Sequence, residues 1–398
     1  MRCSKLSGEK GDRNLFHSLR LKKVPVPFFT RNPEPEMLSD LDYMNRALDL
    51  AERGRGTTSP NPMVGAVIVR ADGTVVGQGY HERAGGLHAE IRALDEAGEL
   101  ARGGSLYCTL EPCCHFGRTG PCVERVVASG IARVVAATVD ADPRVSGRGF
   151  EFLRQRGVEV AVGAARGRAL RLNRAYFTFK THGRPFVIMK AATSLDNYVA
   201  ARPGERTPLT SEESQRHAHT VRAEVDAIAV GSETVLIDDP LLTARHVHRS
   251  RPLTRVLFDR RLRIPPSARV FSTLDAGPVI IITTPESMAS RPEHARELEK
   301  AGAVLDPVTG GDLRDALVSL AGREITSVVL EGGVALHRAA WDAGLVDAVH
   351  VYVAPVKVGD GGVAWLETEM VGVASLADRR VMQLGPDVFM EGYVHRID

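Results

Sequence analysis

The stretches HAE (88–90) and TLEPCCHFGRTGPC (109–122) decide how this chain reads. They bring together one imidazole (His88), two thiols (Cys113 and Cys122) and a carboxylate, Glu90, two residues beyond the His. Three such ligands hold a zinc ion and leave its fourth position to water, whereas a structural zinc usually takes four protein ligands. Zinc brings the pKa of its water to about 7, and a nearby carboxylate can carry the proton. Two helical positions two residues apart differ by about 200°, so Glu90 serves as proton shuttle, not ligand, if the pair sits at a helix start. Pro112-Cys113 is expected to open the next element, where backbone donors favour a thiolate.

His-x-Glu followed by Pro-Cys is the order found in zinc deaminases, where the usual second half is Pro-Cys-x-x-Cys. Here Phe116 stands in place of the last Cys, and the next candidate is Cys122. Cys114 and His115 are competing ligands by chemistry alone. Two other readings therefore stay open: a structural zinc held by four of His88, Cys113, Cys114, His115 and Cys122, and a cysteine cluster without metal.

A chain of 398 residues with 43% apolar content suggests two domains with real cores. Net charge of +2 and 5% aromatic residues argue against the basic, aromatic groove of a nucleic-acid base deaminase. No apolar run reaches the roughly 18 residues of a membrane span. Four of the five cysteines fall within 108–122, which favours a metal site in a reducing compartment, the cytoplasm, over a disulfide framework. Residues 1–40 hold eight Lys/Arg and five Asp/Glu without an apolar period, and 1–36 is expected to be a disordered extension.

Order is expected from about Asp40, with Leu41, Met44, Leu48 and Ala51 at helical spacing. GAVIV (65–69), Asp72-Gly73 and VVGQGY read as a hairpin. A helix from about His88, a buried strand SLYCTL (105–110), a helix CVERVVASG and two further strands complete a layered α/β domain over 37–165. A helical linker, 166–184, ends at Gly183-Arg184-Pro185. A second α/β domain, 185–398, alternates strands with helices near 211–224, 288–301, 312–321 and 334–344; Thr210 and Glu213 have capping-box spacing. No Gly-x-Gly-x-x-Gly follows a strand, so a standard dinucleotide fold is not supported. Three segments stand out there: KAATSLDN (190–197), GSETVLIDDPLLTAR (231–245) and VVLEGGVALHRAAWDAGL (328–345). In the last, a Gly-Gly turn feeding a helix start offers backbone donors to an anion.

TLEPCCHFGRTGPC, with HAE and NPMVGAVIV upstream, resembles the deaminase half of the bifunctional riboflavin-biosynthesis deaminase/reductase family, which has this long Cys-to-Cys spacing. The resemblance implies a cytidine-deaminase-like three-layer domain, His88, Cys113 and Cys122 as zinc ligands, Glu90 as proton shuttle, and substrate contacts from Asn61, His81, His115 and Arg118. The segments from about Pro185 to Pro386 resemble the reductase half, a dihydrofolate-reductase-like domain using NADPH. Carried over, this places cofactor contacts at Ala192, Pro208, Thr234, Asp238, Gly333, Val334, Ala335, Leu336, His337, Arg338 and Ala339. Substrate contacts fall on Arg206, Arg222, Leu242, Arg245 and Glu331, with Lys190 as a candidate proton donor. Arg222 and Arg245 suit a ribose 5-phosphate by bidentate pairing. Asn197 stands where the family usually has Gly, but Asn tolerates left-handed backbone. Arg206 and Pro208 replace the family's usual Ser and Trp.

The implied reactions are hydrolytic deamination of 2,5-diamino-6-(5-phosphoribosylamino)pyrimidin-4(3H)-one and reduction of its ribosyl group to ribityl. The expected partner is this small molecule, not nucleic acid or membrane, in a homo-oligomeric enzyme. The alternatives are a monofunctional zinc deaminase of a base, nucleoside or nucleic acid with a binding-only second domain, and a zinc-stabilised binding protein without catalysis.

Overall fold

All five residues of strand β1 (Gly65–Val69) are buried, the pattern of a strand covered on both faces. The computed structural model describes residues 38–116, 120–309, 312–366 and 376–395; the extension over 1–36 and Arg118 lie outside them. β1 pairs antiparallel with β2 (Val75–Tyr80) and β3 (Ser105–Cys108), and β3, β4 (Arg133–Ala136) and β5 (Glu159–Val162) run parallel. The order is β2-β1-β3-β4-β5. Gly73 (φ +83°) turns the expected hairpin, and Asp72 accepts from the Thr74 amide at 2.9 Å.

Helices cover both faces of this sheet. On one side lies Asp40–Glu52, capped by Ser39. Its buried residues are Tyr43, Met44, Ala47, Leu48, Leu50 and Ala51; Leu41, expected among them, is 52% exposed. On the other side lie Ala89–Ala97 and Cys122–Ala128. Glycines allow close docking. A Cβ at Gly65 would stand 1.9 Å from the Ala47 carbonyl oxygen, and one at Gly77 would stand 2.1 Å from that of Ala93.

The expected linker helix is two helices, Arg166–Leu172 and Arg174–His182, broken at Asn173. The Asn173 side-chain amide accepts from the Met63 N–H and donates to the Met63 carbonyl, each at 2.8 Å. Gly183 (φ +64°) ends the second helix. Arg184 is buried and forms a bidentate pair with Asp347 at 2.6 and 2.9 Å, fixing the entry to the second sheet.

That sheet has nine strands: β6 (Phe186–Thr193), β8 (Ala227–Gly231), β9 (Thr254–Phe258), β10 (Val279–Thr283), β11 (Ala303–Pro307), β12 (Ser327–Leu330), β13 (Ala348–Val353), β15 (Ala377–Leu384) and β16 (Asp387–Tyr393). The order is β11-β10-β9-β8-β12-β6-β13-β16-β15, while β7 (Tyr198–Ala200) and β14 (Val363–Ala364) form a separate pair. Strands β11 through β13 are parallel; β16 and β15 add an antiparallel hairpin. Helix Glu212–Glu224 is capped by Ser211, not Thr210. Ser211 is the residue held by Asp387, at 2.8 Å. The described residues from Leu38 onward form one compact unit, and no described helix is long and apolar enough to cross a membrane.

Gly77→Ala should destabilise the protein by about 1–3 kcal/mol through overpacking. Gly322→Ala, in a helix where an added Cβ meets nothing within 4 Å, should be neutral or stabilising by up to about 1 kcal/mol. Urea unfolding of the two variants measures both.

Candidate active site

Helix Ala89–Ala97 begins beneath β2, and His88 is its N-cap residue with extended backbone (φ −72°, ψ 158°). Because His88 precedes the helix proper, its ring and the Glu90 carboxyl face one cavity despite their sequence spacing. Cys122 opens the helix Cys122–Ala128, whereas Cys113 sits in a loop. The expectation that Pro112-Cys113 opens the next element is therefore corrected: Pro121, not Pro112, precedes the helix. Cys113 still gains the benefit, since the first amide of that helix, on Cys122, points at its sulfur at 3.4 Å.

His88 Nδ1, Cys113 Sγ and Cys122 Sγ all lie within 4.8 Å of one another. The hydrogen bond from Cys122 holds the Cys113 thiol down to about 4, and the Cys122 thiol is correspondingly raised. The hydrogen bond to Cys113 lifts the His88 imidazole to about 9. The cluster favours positive charge beside sulfur, and a divalent cation replacing those protons meets two thiolates and a neutral imidazole. Cys114 turns aside, its sulfur 3.8 Å from the Arg144 carbonyl. Glu90 is 3% exposed, and burial pushes its carboxyl up to about 6, into the range useful for general acid–base work.

The loop bearing Cys113 is fixed by Glu111. Its carboxylate accepts from the Asp140 amide after β4 (3.2 Å) and, at the start of helix Arg148–Arg154, from the amides of Gly147 (2.8 Å), Gly149 (2.9 Å) and Phe150 (3.4 Å). A Cβ at Gly149 would fall 2.2 Å from the Pro112 carbonyl oxygen.

The cluster opens into a cavity of about 490 Å³ that Asn61, His81, His88, Glu90, Cys113 and His115 help to line. His81 Nδ1 meets the Leu87 carbonyl at 3.1 Å, so that nitrogen carries the proton. Nε2 then accepts from the Asn61 amide at 3.1 Å. Burial lowers the His81 pKa, keeping the ring neutral. Sequence reasoning missed the far wall. Tyr176 and Lys180 of the linker helix reach Asp140 (2.7 Å) and Asp142 (2.9 Å), and Glu324 comes from the second domain. Asp142 is held below the ordinary carboxylate range by Arg144 and Lys180 against its partial burial. The Asp140-x-Asp142-Pro143-Arg144 turn after β4 was the available signal.

In the second domain, Glu331 follows β12 and receives both arms of Arg222, Nε at 2.7 Å and Nη2 at 2.6 Å. Burial would raise its carboxyl, but Arg222 and Lys190 outweigh that and hold it at about 2. Arg222 also donates to the Thr243 carbonyl at 3.0 Å. Its Nε–Nη2 edge is thus engaged by Glu331, the edge that a bidentate pair with a phosphate was expected to use or share. Lys190, on β6, is lowered by burial, with Glu331 opposing. Burial and the nearby Arg222 and Arg245 hold His219 down to about 4, and its Nδ1 accepts from the Arg245 amide at 3.1 Å. Arg245 itself is lowered by burial and by Arg222, Arg269 and Arg206, a cation cluster that suits an anion. Leu242 is buried with a positive φ of 53°.

Gly333 is the N-cap residue of Val334–Asp342. Among the described residues, and apart from chain neighbours, only Thr234 Oγ1 lies within 4 Å of where Cβ atoms on Gly332 and Gly333 would fall, at 3.8 and 3.5 Å. The turn is thus uncrowded on that side, with Thr234 beside it. Among Val334, Ala335, Leu336, His337, Arg338 and Ala339, the His337 ring is committed elsewhere: Nε2 to the Leu330 carbonyl at 3.1 Å, Nδ1 to the Trp365 indole at 3.0 Å. Ala192 lies on β6, Asp238 ends helix Ser232–Asp238, and Arg206 and Pro208 are exposed. Asn197 adopts φ +66°, as its left-handed tolerance allows, and its side chain donates to the Leu366 carbonyl at 2.8 Å.

Two family models match this chain: the cytidine and deoxycytidylate deaminase zinc-binding region over residues 37–138, and the RibD C-terminal domain over 185–390. The riboflavin biosynthesis protein RibD of Aquifex aeolicus is 41% identical over 362 residues, covering 89% of this chain and 99% of its own. The chain belongs to the RibD family. RibD of Escherichia coli is 39% identical over 373 residues, covering 88% of this chain and 98% of its own. Among solved structures, one form of Acinetobacter baumannii RibD superposes with a TM-score of 0.78 at 33% identity, covering 89% of this chain and 98% of its own. The Thermotoga maritima diaminohydroxyphosphoribosylaminopyrimidine deaminase/5-amino-6-(5-phosphoribosylamino)uracil reductase gives 0.74 at 31% identity, with the same coverage. The RibD-family chain is accordingly a bifunctional deaminase and reductase of riboflavin biosynthesis, cytidine-deaminase-like in its first half and dihydrofolate-reductase-like in its second.

Cys113→Ala and Cys122→Ala should each reduce zinc from one ion per chain to a trace, while Cys114→Ser keeps it. Elemental analysis of the purified variants checks this; zinc loss in Cys114→Ser would place that sulfur among the ligands.

Proposed function

We propose that the domain over 37–165 removes the 2-amino group of 2,5-diamino-6-(5-phosphoribosylamino)pyrimidin-4(3H)-one as ammonia. The domain over 185–398, joined by the linker 166–184, then reduces the ribosyl group of that product to ribityl with NADPH. The observation that carries the first step is the convergence of His88, Cys113 and Cys122 beside Glu90 in one cavity. Those three residues would hold zinc, which supplies activated water at neutral pH. Glu90 takes the proton of that water and delivers it to the pyrimidine nitrogen and then to the departing amine. Asn61 and the neutral His81 orient the ring, and His115 lines the same wall.

For the second step, the Gly333 turn and Thr234 would receive the nucleotide phosphates, and NADPH supplies the hydride. Glu331, fixed by Arg222, addresses the sugar hydroxyls, and Lys190 beside it supplies the proton that the ring oxygen takes up as the sugar's ring C–O bond breaks. Arg245, with Arg206, is the cation for the substrate phosphate. The chain is placed in the cytoplasm, in keeping with four unpaired cysteines among the described residues.

Supplied with the diaminopyrimidinone ribosyl phosphate, the protein should release ammonia without NADPH and consume NADPH only after deamination. Glu90→Gln should retain zinc and release no ammonia; wild-type ammonia release by that variant removes Glu90 from the mechanism. Arg245→Ala should leave deamination intact and raise the reductase KM by roughly 10- to 100-fold, as for loss of a charged hydrogen bond. Equal use of NADH would overturn the choice of NADPH.

A further inference from the structure

Asn61 lines the deaminase cavity from the loop 54–62, and several anchors of that loop lie in the second domain. Arg251 donates from Nε to the Gly56 carbonyl at 2.8 Å and from Nη1 to the Ser59 carbonyl at 3.3 Å. Its Nη2 lies 2.7 Å from Asp226 Oδ1. Asp226 Oδ2 accepts from Ser59 Oγ at 2.7 Å, from the Thr326 amide and hydroxyl at 2.9 and 2.7 Å, and from the Ser327 amide at 3.2 Å. Ser59 Oγ also meets Thr326 Oγ1 at 3.0 Å. Gly56 (φ +76°) runs so close to the end of helix Glu212–Glu224 that a Cβ there would touch the Ala223 carbonyl oxygen at 3.4 Å.

The loop continues directly into the site. Asn61 lies two residues beyond Ser59, its amide bonds the Thr58 carbonyl at 2.9 Å, and its side chain meets His81 at 3.1 Å. Within the first domain, the loop's side-chain anchor before Asn61 is Thr57, which donates to the Glu82 and Gly54 carbonyls. After Asn61 the chain is held at Met63 by the linker residue Asn173. The segment carrying Asn61 therefore takes its position in part from the second domain and the linker, beside its own contacts with Glu82 and His81.

We propose that Arg251 and Asp226 of the reductase domain are positioning residues for deamination. They act through Ser59 and the Gly56 carbonyl to set Asn61 against His81, so the deaminase half depends on the reductase half for substrate alignment. Glu324 extends the same dependence, since it lines the deaminase cavity from the second domain. The inference rests on Asn61 contacting the deaminase substrate.

The test uses the full-length zinc-loaded enzyme and measures both half-reactions in Arg251→Ala, Arg251→Lys, Ser59→Ala and Asn61→Ala. Arg251→Ala should raise the deamination KM roughly tenfold, with a smaller change in kcat, full zinc content, and unchanged reductase constants on the deaminated product. Arg251→Lys, which keeps the charge near Asp226, should recover part of the loss. Ser59→Ala, a small change within the cavity loop, should shift KM in the same direction. If Asn61→Ala leaves KM at the wild-type value, Asn61 is not a substrate contact and the clamp falls with it. If Asn61→Ala raises KM but Ser59→Ala and Arg251→Ala do not, the contact stands and the clamp is wrong. Parallel loss of deamination and reduction in Arg251→Ala and Ser59→Ala would make the pair merely structural and also overturn the proposal.

Discussion

The carboxylate of Glu111 is the constraint on which the zinc-bearing half depends. A buried negative charge is costly unless its lone pairs are filled, and four backbone amides fill them. Those amides belong to the turn and helix start that follow β4, so one side chain ties β3's exit loop to the next crossover. Cys113 lies two residues further along, its carbonyl accepting from Val123 at 3.2 Å and its sulfur facing the Cys122 amide. The two sulfurs are thus brought together by backbone geometry on both sides. Negative charge at a helix start is favourable, and here the same device is used twice, by Glu111 and by the Cys113 sulfur.

The second domain solves a different electrostatic problem. Glu331 and Arg222 satisfy one another with two parallel hydrogen bonds, the arrangement in which a buried ion pair is least costly. Burial leaves Lys190 destabilised as a cation although Glu331 opposes it, and Arg245 is destabilised by burial and by the arginines around it. A site with one carboxylate already neutralised and several cations at its rim is better matched to a phosphorylated sugar than to a neutral one. The first site depends on soft donors and a hidden carboxylate, the second on a rigid ion pair and unbalanced positive charge.

Much of this was legible in the chain itself, for reasons that differ by residue. His88, Glu90, Cys113 and Cys122 declare themselves because few other roles bring these residue types together in this order. Asn197 was readable because a left-handed turn admits few residues. Leu41 and Thr210 misled because periodicity and capping patterns locate a helix only to within a turn. β15 was invisible: most of its residues are exposed, and a solvated edge strand has no apolar run. The partnership of Arg222 with Glu331 could not be read either, since it joins residues 109 apart, and a lone Arg near a sugar-phosphate site looks like a phosphate ligand. Glu111 sits within the most informative stretch of the chain, yet its role as a backbone anchor depends on where Gly147 to Phe150 fold.

The seam between the two halves follows from the same logic. An apolar contact between domains would bind them without fixing their register, because hydrophobic burial is non-directional. Asp226 is 7% exposed, and burial alone would raise its carboxyl. Arg251, together with donors on Thr326 and Ser59, outweighs that and holds it below its ordinary value. A charge that is tolerated only when all its partners are in place penalises any slippage of the loop 54–62 against β12. Conformational uniqueness is what such a network contributes, more than net stability. It is spent here on a loop whose next side chain but one faces the site of deamination.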